Sequence, residues 1–420
     1  MEIIKHGGHL SLEPDETTAR IVHDVLADIR DNGIEAIRKY SRQFDSWDPP
    51  RFELSQEEID EATEQVPESA RQDIKFCQDQ VREFARKQRE AMKPLEVETL
   101  PGLTLGHKYI PVRYVGCYVP GGRYPAFASS YMSIVTAKVA GVENIVVCTP
   151  PVGLKWNPVT IYAIHTSGAD RIFCLGGVQA LAMMAFGTAE IQPVDMLVGP
   201  GNKFVIEAKR QLFGQCGIDL IAGPTEILII ADDSADASLV ACDLLGQAEH
   251  DPNSGICLIT TSSSLAHDVI REVERQLKTL PTREVASVSW SNNGIVMLAD
   301  DPEEAVRLSD DYAPEHLELH VSDQDFYFNR LRNYGSLFIG EETTVAYGDK
   351  SSGPNHILPT GRSARYTGGL SVFKFLKVCT YQYMTPEASR NIAEVTERIC
   401  KLEGMLSHAI TAHSRLERYS

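Results

Sequence analysis

The feature that most constrains this fold is an alternation of short apolar runs with helical segments, which begins near Gly106. The runs are rich in Val and Ile and are bounded by Gly or Pro. They are YIPVRYVGCYV, ENIVVCTPP, RIFCLGG, DMLVGPG, TEILIIAD and GICLITT. Helical patterns such as SSYMSIVTAKVAG and VQALAMMAFG lie between them. This alternation predicts α/β units built on mostly parallel sheets.

Glycine follows several of the predicted strands, with GG at 121–122, GG at 176–177 and GPGN at 199–202. Ligands of open parallel sheets lie in the crevice beyond the carboxyl ends of the strands, and glycine lets a backbone approach a ligand closely. One such loop is more often a plain turn, but three at successive strand ends indicate a nucleotide site. The usual GxGxxG dinucleotide fingerprint is absent.

The two ends of the chain have a different character. Residues 1–15 resemble a short arm, and a helical pattern then runs to about Tyr40 with a break at Gly33. SQEE at 55–58 has the form of a capping box and opens a second helical stretch. After about Leu370 the pattern is helical again, which predicts a helical C-terminal tail over 371–420.

Length and charge narrow the class of protein. A chain of 420 residues predicts two or more domains. Its formal net charge of −18 argues against nucleic acid and anionic membrane surfaces as partners, although a local positive pocket stays open. The nine cysteines include no CxxC pair and indicate free thiols. No apolar run has the length of a membrane span and the start has no signal-peptide core, so we expect a cytoplasmic protein.

Three short motifs carry groups suited to metal and proton chemistry. LLGQAEH places Gln247 and His250 three apart, so on a helix they share one face. An amide oxygen and an imidazole can both bind a metal, although a lone QxxH is more often a solvated helix end. Glu315-His316 lies in APEHLEL, and GDKSSGPNHILPT contains further candidates. Neighbouring side chains on an extended segment point to opposite sides, so Glu315 and His316 can face one substrate only if the backbone turns.

Taken in order, the motifs resemble the histidinol dehydrogenase superfamily. They are GCYVPGG, TAKVAG, GGVQA, VGPGN, EAKRQLFG, GPTEILIIAD, LLGQAEH, APEHLEL, SGPNHILPT and LEGMLSHA. The resemblance runs from about residue 20 to the end. It implies a two-step, NAD-dependent oxidation of an alcohol to a carboxylate at a zinc site. The implied fold is α/β, with two incomplete Rossmann-like domains, an N-terminal arm (1–15) and a helical tail (371–420). The first domain is expected over 16–117 plus 226–370, and the second over 118–225.

The resemblance also assigns roles to individual residues. It implies that Gln247, His250, Asp349 and His408 bind the metal, and these four ligands suit zinc. It implies that His316 takes the alcohol proton and that Glu315 activates water in the second step, roles that suit a histidine and a carboxylate. Tyr118, Gln179 and Asn202 match the positions that bind NAD, and His356 matches a substrate-binding histidine.

The family forms a dimer, and the resemblance implies a homodimer with shared active sites. His408, in LEGMLSHA, comes from the other subunit in the family, and Glu403 lies five residues before it in this tail. We expect both residues to complete the partner's site, since a tail beyond the last strand can reach across a two-fold axis.

The substrate positions depart from histidinol dehydrogenase. Thr225 replaces the usual serine of GPSE, Lys350 replaces a common aromatic after Asp349, and Arg123 follows the first glycine pair. Together with Arg365 in ARYTGGL, these features resemble the sulfopropanediol dehydrogenase branch, which oxidises 2,3-dihydroxypropane-1-sulfonate to sulfolactate. APEHLEL resembles the histidinol form. We expect a small anionic diol as substrate, because positive groups disfavour cationic histidinol; histidinol is the alternative.

Two other classes stay open at this stage. One is an NAD-dependent dehydrogenase without metal. The other is a regulatory or binding protein on an inactive scaffold of the family, although a dead site has no chemical need for all four ligand types and for Glu315-His316.

Overall fold

A computed structural model describes residues 1–7, 15–121 and 124–420 of the chain. Its β-strands are β1 Glu2–Lys5, β2 Leu95–Leu100, β3 Leu103–Pro111, β4 Tyr114–Tyr118, β5 Asn144–Thr149, β6 Arg171–Cys174, β7 Met196–Val198, β8 Gly217–Ile218, β9 Glu226–Ala231, β10 Gly255–Thr260, β11 Gly294–Leu298, β12 His316–His320, β13 Ser336–Ile339 and β14 Leu376–Met384.

The α-helices alternate with these strands through most of the chain. They are α1 Glu16–Asp45, α2 Gln56–Glu64, α3 Glu68–Glu90, α4 Ala128–Ala140, α5 Pro158–Ser167, α6 Gly177–Phe186, α7 Lys203–Leu212, α8 Ala237–Ala248, α9 Ser263–Leu277, α10 Arg283–Asn293, α11 Pro302–Tyr312, α12 Gln324–Arg330, α13 Val345–Lys350, α14 Pro386–Leu402 and α15 Leu406–Arg418. The expected break at Gly33 lies inside α1, where that residue has non-helical φ and ψ of 55° and −131°.

Two sheets carry the α/β architecture that the sequence predicts. A six-stranded sheet has the order β1-β11-β10-β9-β12-β13 and is parallel except for β1. A five-stranded parallel sheet has the order β6-β5-β4-β7-β8. Every residue of β9 and β10 is buried, as expected for continuous apolar strands that helices cover on both faces.

The helices that precede the first glycine loop pack on the five-stranded sheet. The residues Val22, Val25 and Leu26 of α1 share a core with α6 and α7, and α3 packs on α4. The resemblance had grouped residues 16–117 with 226–370. In the structure, the helices within residues 16–90 pack on the side of the five-stranded sheet, and β4 is one of the strands of that sheet.

The expected helical C-terminal tail is confirmed over α14 and α15, but the range 371–420 is corrected at its start, which contains the strand β14. Strand β14 pairs antiparallel with β3 in a three-stranded sheet, β14-β3-β2, and only then do α14 and α15 follow. Sequence periodicity missed this strand because most of its residues are at least partly exposed and its partner lies far back in the chain. None of the helices described is both long and apolar enough to cross a membrane.

A buried ion pair stabilises the loop at 199–202. The ammonium of Lys209 on α7 pairs with the carboxylate of Asp219, and both side chains are almost fully buried. Lys209 Nζ also donates to the Gly199 carbonyl (2.9 Å), and Asp219 Oδ2 accepts from the Gly199 amide (2.8 Å). The pair therefore fixes both backbone groups of Gly199.

Removing one partner of this pair is expected to destabilise the protein strongly. Asp219→Asn leaves a buried ammonium without a counter-charge, which costs about 3–5 kcal/mol of unfolding free energy. The matched control is Asp15→Asn at the exposed Lys203–Asp15 pair (3.2 Å), where a much smaller loss is expected because solvent screens the pair. Urea denaturation of both variants measures the difference, and equal losses would contradict the role given to Asp219.

Candidate functional site

The predicted catalytic and metal-binding residues converge at one edge of the six-stranded sheet. Glu315 and His316 lie at the start of β12, beside Thr225 at the start of β9. The helices α8 and α13 bring the ends that carry Gln247 and Asp349 to the same place. This edge is formed by the amino ends of the strands. The sequence had led us to expect ligands beyond the carboxyl ends of the strands. That expectation fits the glycine loops of the five-stranded sheet, but not this edge of the six-stranded sheet.

Glu315 and His316 face the same space because the backbone turns just before them. Ala313 has left-handed φ and ψ of 52° and 63°, and Pro314 follows. Glu315 Oε2 accepts hydrogen bonds from Thr225 Oγ1 (2.6 Å) and from the Glu226 amide (3.0 Å). His316 Nδ1 lies 3.0 Å from the Glu226 carbonyl and 3.5 Å from Glu315 Oε2. This turn is what allows Glu315 and His316, although neighbours in the chain, to face one substrate.

The Glu226 carbonyl fixes the tautomer of the neutral His316 ring. A carbonyl only accepts, so Nδ1 carries a proton and donates it, and in the neutral ring Nε2 is the acceptor. Nε2 is buried, has no hydrogen-bond partner among the described residues, and lies 3.5 Å from Asp349 Oδ1. That separation is an ion-pair distance and is too long for a good hydrogen bond.

Burial and nearby carboxylates set the protonation of this pair. Burial raises the pKa of Glu315 to about 7, although His316 and the hydrogen bond from Thr225 oppose the rise. Burial lowers the pKa of His316, but Glu315 and Asp349 outweigh it and raise the value to about 9. For Asp349 burial acts in the opposite direction, yet its interactions with His316 hold its pKa well below the usual range. Asp349 therefore stays ionised, and its carboxylate favours a cation.

Two of the expected zinc ligands, Gln247 and Asp349, lie against His316, and the exposed His250 follows Gln247 along the chain. The Gln247 amide donates to Thr225 Oγ1, and its Nε2 lies 3.5 Å from His316 Nδ1. In that orientation the amide oxygen accepts no hydrogen bond from the described residues. His250 lies just beyond the last turn of α8, where its amide donates to the Gln247 carbonyl (3.3 Å). An amide oxygen, an imidazole and the Asp349 carboxylate, beside the unpaired Nε2 of His316, fit a zinc ion.

His356 and Lys350 border the same space. His356 Nδ1 donates to the Asp349 carbonyl (2.8 Å), and its Nε2 accepts from Ser129 Oγ (3.0 Å). Its burial lowers its pKa, with Lys350 acting in the same direction, which favours the neutral ring. Lys350 Nζ lies 3.6 Å from Asp349 Oδ2, and the lysine side chain is 56% exposed. Its ammonium is therefore available to an anionic ligand next to His316.

Four other predicted residues lie apart from this group or cannot be placed in it. His408 and Glu403 are exposed in the helical tail, with no hydrogen bond or ion pair to the site among the described residues. Arg365 is exposed on a short 3₁₀ helix, Ser363–Arg365, and its Nε donates to the Arg362 carbonyl (3.1 Å). Arg123 lies outside the described residues.

The residues predicted to bind NAD meet at the carboxyl ends of β4, β6 and β7. Asn202 is exposed and caps α7, where its Oδ1 accepts from the Phe204 and Val205 amides (3.0 and 3.2 Å). Tyr118 and Gln179 are buried under the turn at 176–177. The Tyr118 hydroxyl accepts from the Gly177 amide (3.1 Å), and Gln179 Nε2 donates to Asp45 Oδ2 (2.8 Å).

The loop at 199–202 needs glycine for a close approach of two backbones. Gly199 has φ of +124°, and a Cβ there would collide with the Tyr118 carbonyl oxygen. Gly177 has φ of +63° at the start of α6, where that helix presents its first amides to the same edge. The first turn of α6, which no side chain caps, the exposed Asn202 and the unpartnered Oε1 of Gln179 form a cradle that fits the polar groups of a dinucleotide.

Two residues of the site were not found from sequence. Glu226 connects the start of β9 to both Glu315 and His316, and Asp45 lies in the cradle as the partner of Gln179. Glu226 stands directly after Thr225 in the GPTE motif, so the motif itself was the available signal. Asp45 carried no signal, because it is one of many acidic residues at helix ends.

The site combines an imidazole acceptor, a group that can bind a cation and a cradle for a nucleotide. A metal-assisted, nicotinamide-dependent alcohol dehydrogenase needs these three features.

A family model for histidinol dehydrogenase matches residues 11–416. The chain is 56% identical over 398 residues to a histidinol dehydrogenase homolog of Shouchella clausii, covering 95% of this chain and 94% of that protein. It is 46% identical over 422 residues to sulfopropanediol 3-dehydrogenase of Ruegeria pomeroyi, covering 100% and 97%.

Structural comparison agrees with these relatives. The crystal structure of histidinol dehydrogenase from Elizabethkingia anophelis matches with a TM-score of 0.93 at 32% identity, covering 98% of this chain and 94% of that one. The chain therefore belongs to the histidinol dehydrogenase family. It is an NAD-dependent dehydrogenase of a family that uses NAD and zinc and oxidises an alcohol to the acid in two steps.

Proposed function

We propose that this enzyme oxidises 2,3-dihydroxypropane-1-sulfonate to sulfolactate. The relative named sulfopropanediol 3-dehydrogenase spans the whole chain at 46% identity and supports this substrate. Other relatives of similar identity carry only the name histidinol dehydrogenase homolog. L-histidinol is the alternative substrate, and the two differ in charge, since one is an anion and the other a cation.

The observation that carries this proposal is the position of Lys350. Its ammonium lies beside Asp349, close to the acceptor nitrogen of His316, and more than half of its side chain is exposed. A positive group beside the substrate attracts a sulfonate and repels the amine of histidinol. Two charges about 4 Å apart interact by roughly 4 kcal/mol at an effective dielectric near 20, before solvent screening reduces the interaction. Among the other predicted anion-binding residues, Arg365 is exposed and bonded to its own turn.

His316 would take the alcohol proton. The Glu226 carbonyl holds Nδ1 as the donor, so Nε2 receives the proton. Without a cation, Glu315 and Asp349 keep the pKa of His316 near 9, where the ring is mostly charged at neutral pH. A cation on Asp349 would offset one of these carboxylates, which favours the neutral ring that a base requires.

Glu315 would activate water for the second step. Its Oε2 is held by Thr225 and Glu226, which leaves Oε1 to accept a proton from water that attacks the aldehyde. A pKa near 7 suits a general base at neutral pH. Overall, one alcohol, one water and two NAD give one carboxylate, two NADH and three protons.

The remaining groups position the substrate and the two cofactors. Gln247, His250 and Asp349, with His408 of the other chain, would hold zinc, and His356 and Glu403 would bind the substrate. When bound, zinc lowers the pKa of the alcohol and NAD accepts the hydride of each step. Thr225 would orient Glu315 and Gln247 as well as contact the substrate. Asn202 and the glycine loops would contact NAD, with Tyr118 and Gln179 shaping the loop beneath it.

A homodimer with shared active sites is the second part of the proposal. The helices α14 and α15 pack mainly on each other and leave six large apolar side chains exposed: Val395, Ile399, Leu402, Met405, Leu406 and Ile410. An apolar surface of this kind favours a protein partner. His408 lies on the same helical pair, so a tail docked on a second copy can present it to that copy's site.

Substituting Lys350 tests the substrate. We expect Lys350→Ala to raise KM for 2,3-dihydroxypropane-1-sulfonate at least tenfold, about 1.4 kcal/mol, because it removes the positive group. KM for the neutral 1,2-propanediol and the behaviour of Lys278→Ala, an exposed lysine after α9, serve as controls. NADH absorbance gives the rates. Faster wild-type turnover of histidinol than of the sulfonate, or an unchanged KM in alanine variants of Lys350, Arg123 and Arg365, would make histidinol the leading substrate.

Substituting Thr225 tests the role of Glu315 through pH. The hydrogen bond from Thr225 stabilises the ionised carboxylate and lowers its pKa, so losing it raises that pKa. The acid limb of kcat/KM for aldehyde oxidation should then move to higher pH in Thr225→Val. Thr225→Ser keeps the hydroxyl and should keep the wild-type profile. A profile that is the same in all three proteins would exclude Glu315 as the group that titrates.

Mixing two inactive variants tests the shared site. His250→Ala and His408→Ala lack ligands that our proposal assigns to different chains, so each heterodimer regains one complete site. Equal mixing should restore up to about a quarter of wild-type activity, since half of the dimers are mixed and each has one intact site. The matched control mixes His250→Ala with Gln247→Ala, whose ligands lie on one chain, and should recover nothing. No recovery in the first mixture, with subunit exchange shown by mass, would contradict the shared site.

A further inference from the structure

A second group of ligand-type side chains lies behind the catalytic residues, between the same helix and strand. Asp243 is four residues before Gln247 on α8, so both project from one face of that helix. Glu318 and His320 follow His316 at alternate positions of β12, so all three project from one face of that strand. Asp243, Glu318 and His320 bring one ligand atom each within 4.8 Å of the others.

The separations in this group do not match hydrogen bonds. His320 Nε2 lies 3.6 Å from Asp243 Oδ2 and 3.5 Å from Glu318 Oε2, beyond the usual hydrogen-bond range. The residues Glu318 and His320 are 0% and 3% exposed. Glu318 Oε2 and both ring nitrogens of His320 are buried without a hydrogen-bond partner among the described residues. Buried polar atoms without partners are rare and costly in folded proteins.

The same separations match neighbouring ligands of one metal ion. Zinc binds nitrogen and carboxylate oxygen at roughly 2.0–2.2 Å, so two tetrahedral ligands lie about 3.4 Å apart. The two distances from His320 Nε2, 3.5 and 3.6 Å, are close to that value. A cation between the three atoms would satisfy Glu318 Oε2 and His320 Nε2 together.

The other carboxylate oxygens are already fixed by the start of α13. Thr344 Oγ1 donates to Asp243 Oδ1 (2.8 Å), and the Val345 amide donates to Glu318 Oε1 (2.8 Å). These bonds turn Oδ2 and Oε2 towards His320. Outer hydrogen bonds that orient ligands in this way are a regular feature of metal sites.

The charge of the group also favours a cation. Two carboxylates in a buried space are costly unless a positive group pairs with them. No lysine or arginine in the described ranges pairs with Asp243 or Glu318. Among the described residues, His320 is the one basic side chain that lies against them, and one imidazolium would leave a net negative charge.

We propose that Asp243, Glu318 and His320 bind a second divalent cation of the zinc class, distinct from the cation expected at Gln247, His250 and Asp349. This site has a structural role. It ties α8 and β12 together, and Thr344 and Val345 link α13 to the two carboxylate ligands. The same three elements carry Gln247, His316 and Asp349. The second cation therefore holds in place the parts of the fold that form the catalytic site.

Zinc content per chain tests this proposal in the full-length protein. Each protein is loaded with zinc, freed of unbound metal on a desalting column and measured by elemental analysis. We expect two zinc ions per chain in the wild type, one in His250→Ala, one in Asp243→Asn or His320→Gln, and none in His250→Ala combined with Asp243→Asn. The control His267→Gln, an exposed histidine on α9, should keep two. Circular dichroism of each variant checks the fold, and Asp243→Asn and His320→Gln serve as independent tests if one of them fails to fold.

The pattern of losses separates this proposal from that for the catalytic zinc. One zinc in the wild type, none in His250→Ala and one in Asp243→Asn would overturn the second site and keep the first. One zinc in both the wild type and His250→Ala, with none in Asp243→Asn, would support the second site and contradict the first. Zinc should also raise the melting temperature of His250→Ala but not that of His250→Ala combined with Asp243→Asn. Equal shifts in these two proteins would overturn the structural role.

Discussion

The pairing of β9 with β12 is the constraint on which the rest of the site depends. This parallel pairing aligns Ile227 with His316. It thereby brings Glu226, the residue before Ile227, against both Glu315 and His316. The Glu226 amide donates to the Glu315 carboxylate, and the Glu226 carbonyl accepts from His316 Nδ1. Its side-chain carboxyl accepts from the amides of Glu315 and Gly361 (3.3 and 3.1 Å). One residue thus sets the position of Glu315 and the protonated nitrogen of His316.

Burial gives this arrangement its electrostatic character. Burial and the nearby Glu315 raise the pKa of Glu226 to about 8, and burial also raises that of Glu315. A carboxylate that stays ionised in a buried space, as Asp349 does, needs a cation to balance it. Three positive groups would supply this balance. They are the proposed zinc beside Asp349, the ammonium of Lys350 and the proposed cation at Asp243.

The active site also requires contact between the two α/β units. Helix α4 belongs to the five-stranded sheet, yet its Ser129 and Tyr131 bond to His356 Nε2 and to the Lys350 carbonyl (both 3.0 Å). Asn355 Nδ2 donates back to the Met132 carbonyl of α4 (2.7 Å). These bonds join the unit that carries the nucleotide cradle to the segment that carries the proposed substrate residues. A substrate beside Lys350 therefore lies next to the junction of the two units.

The sequence alone predicted the α/β class, the glycine loops and the family, because these depend on local patterns: continuous apolar strands, turns that need glycine, and ordered motifs. It did not predict the buried cluster on β12, the strand β14 or the role of Glu226. In HLELH the polar residues alternate with leucine, which normally indicates one exposed face, but the structure buries both faces and so creates the cluster with Asp243. Thr225 and Glu315 stand 90 positions apart, and Gln247 and His316 stand 69 apart. Only strand register and helix packing bring such residues together. Neither can be predicted from a local sequence pattern, because both depend on contacts between distant parts of the chain.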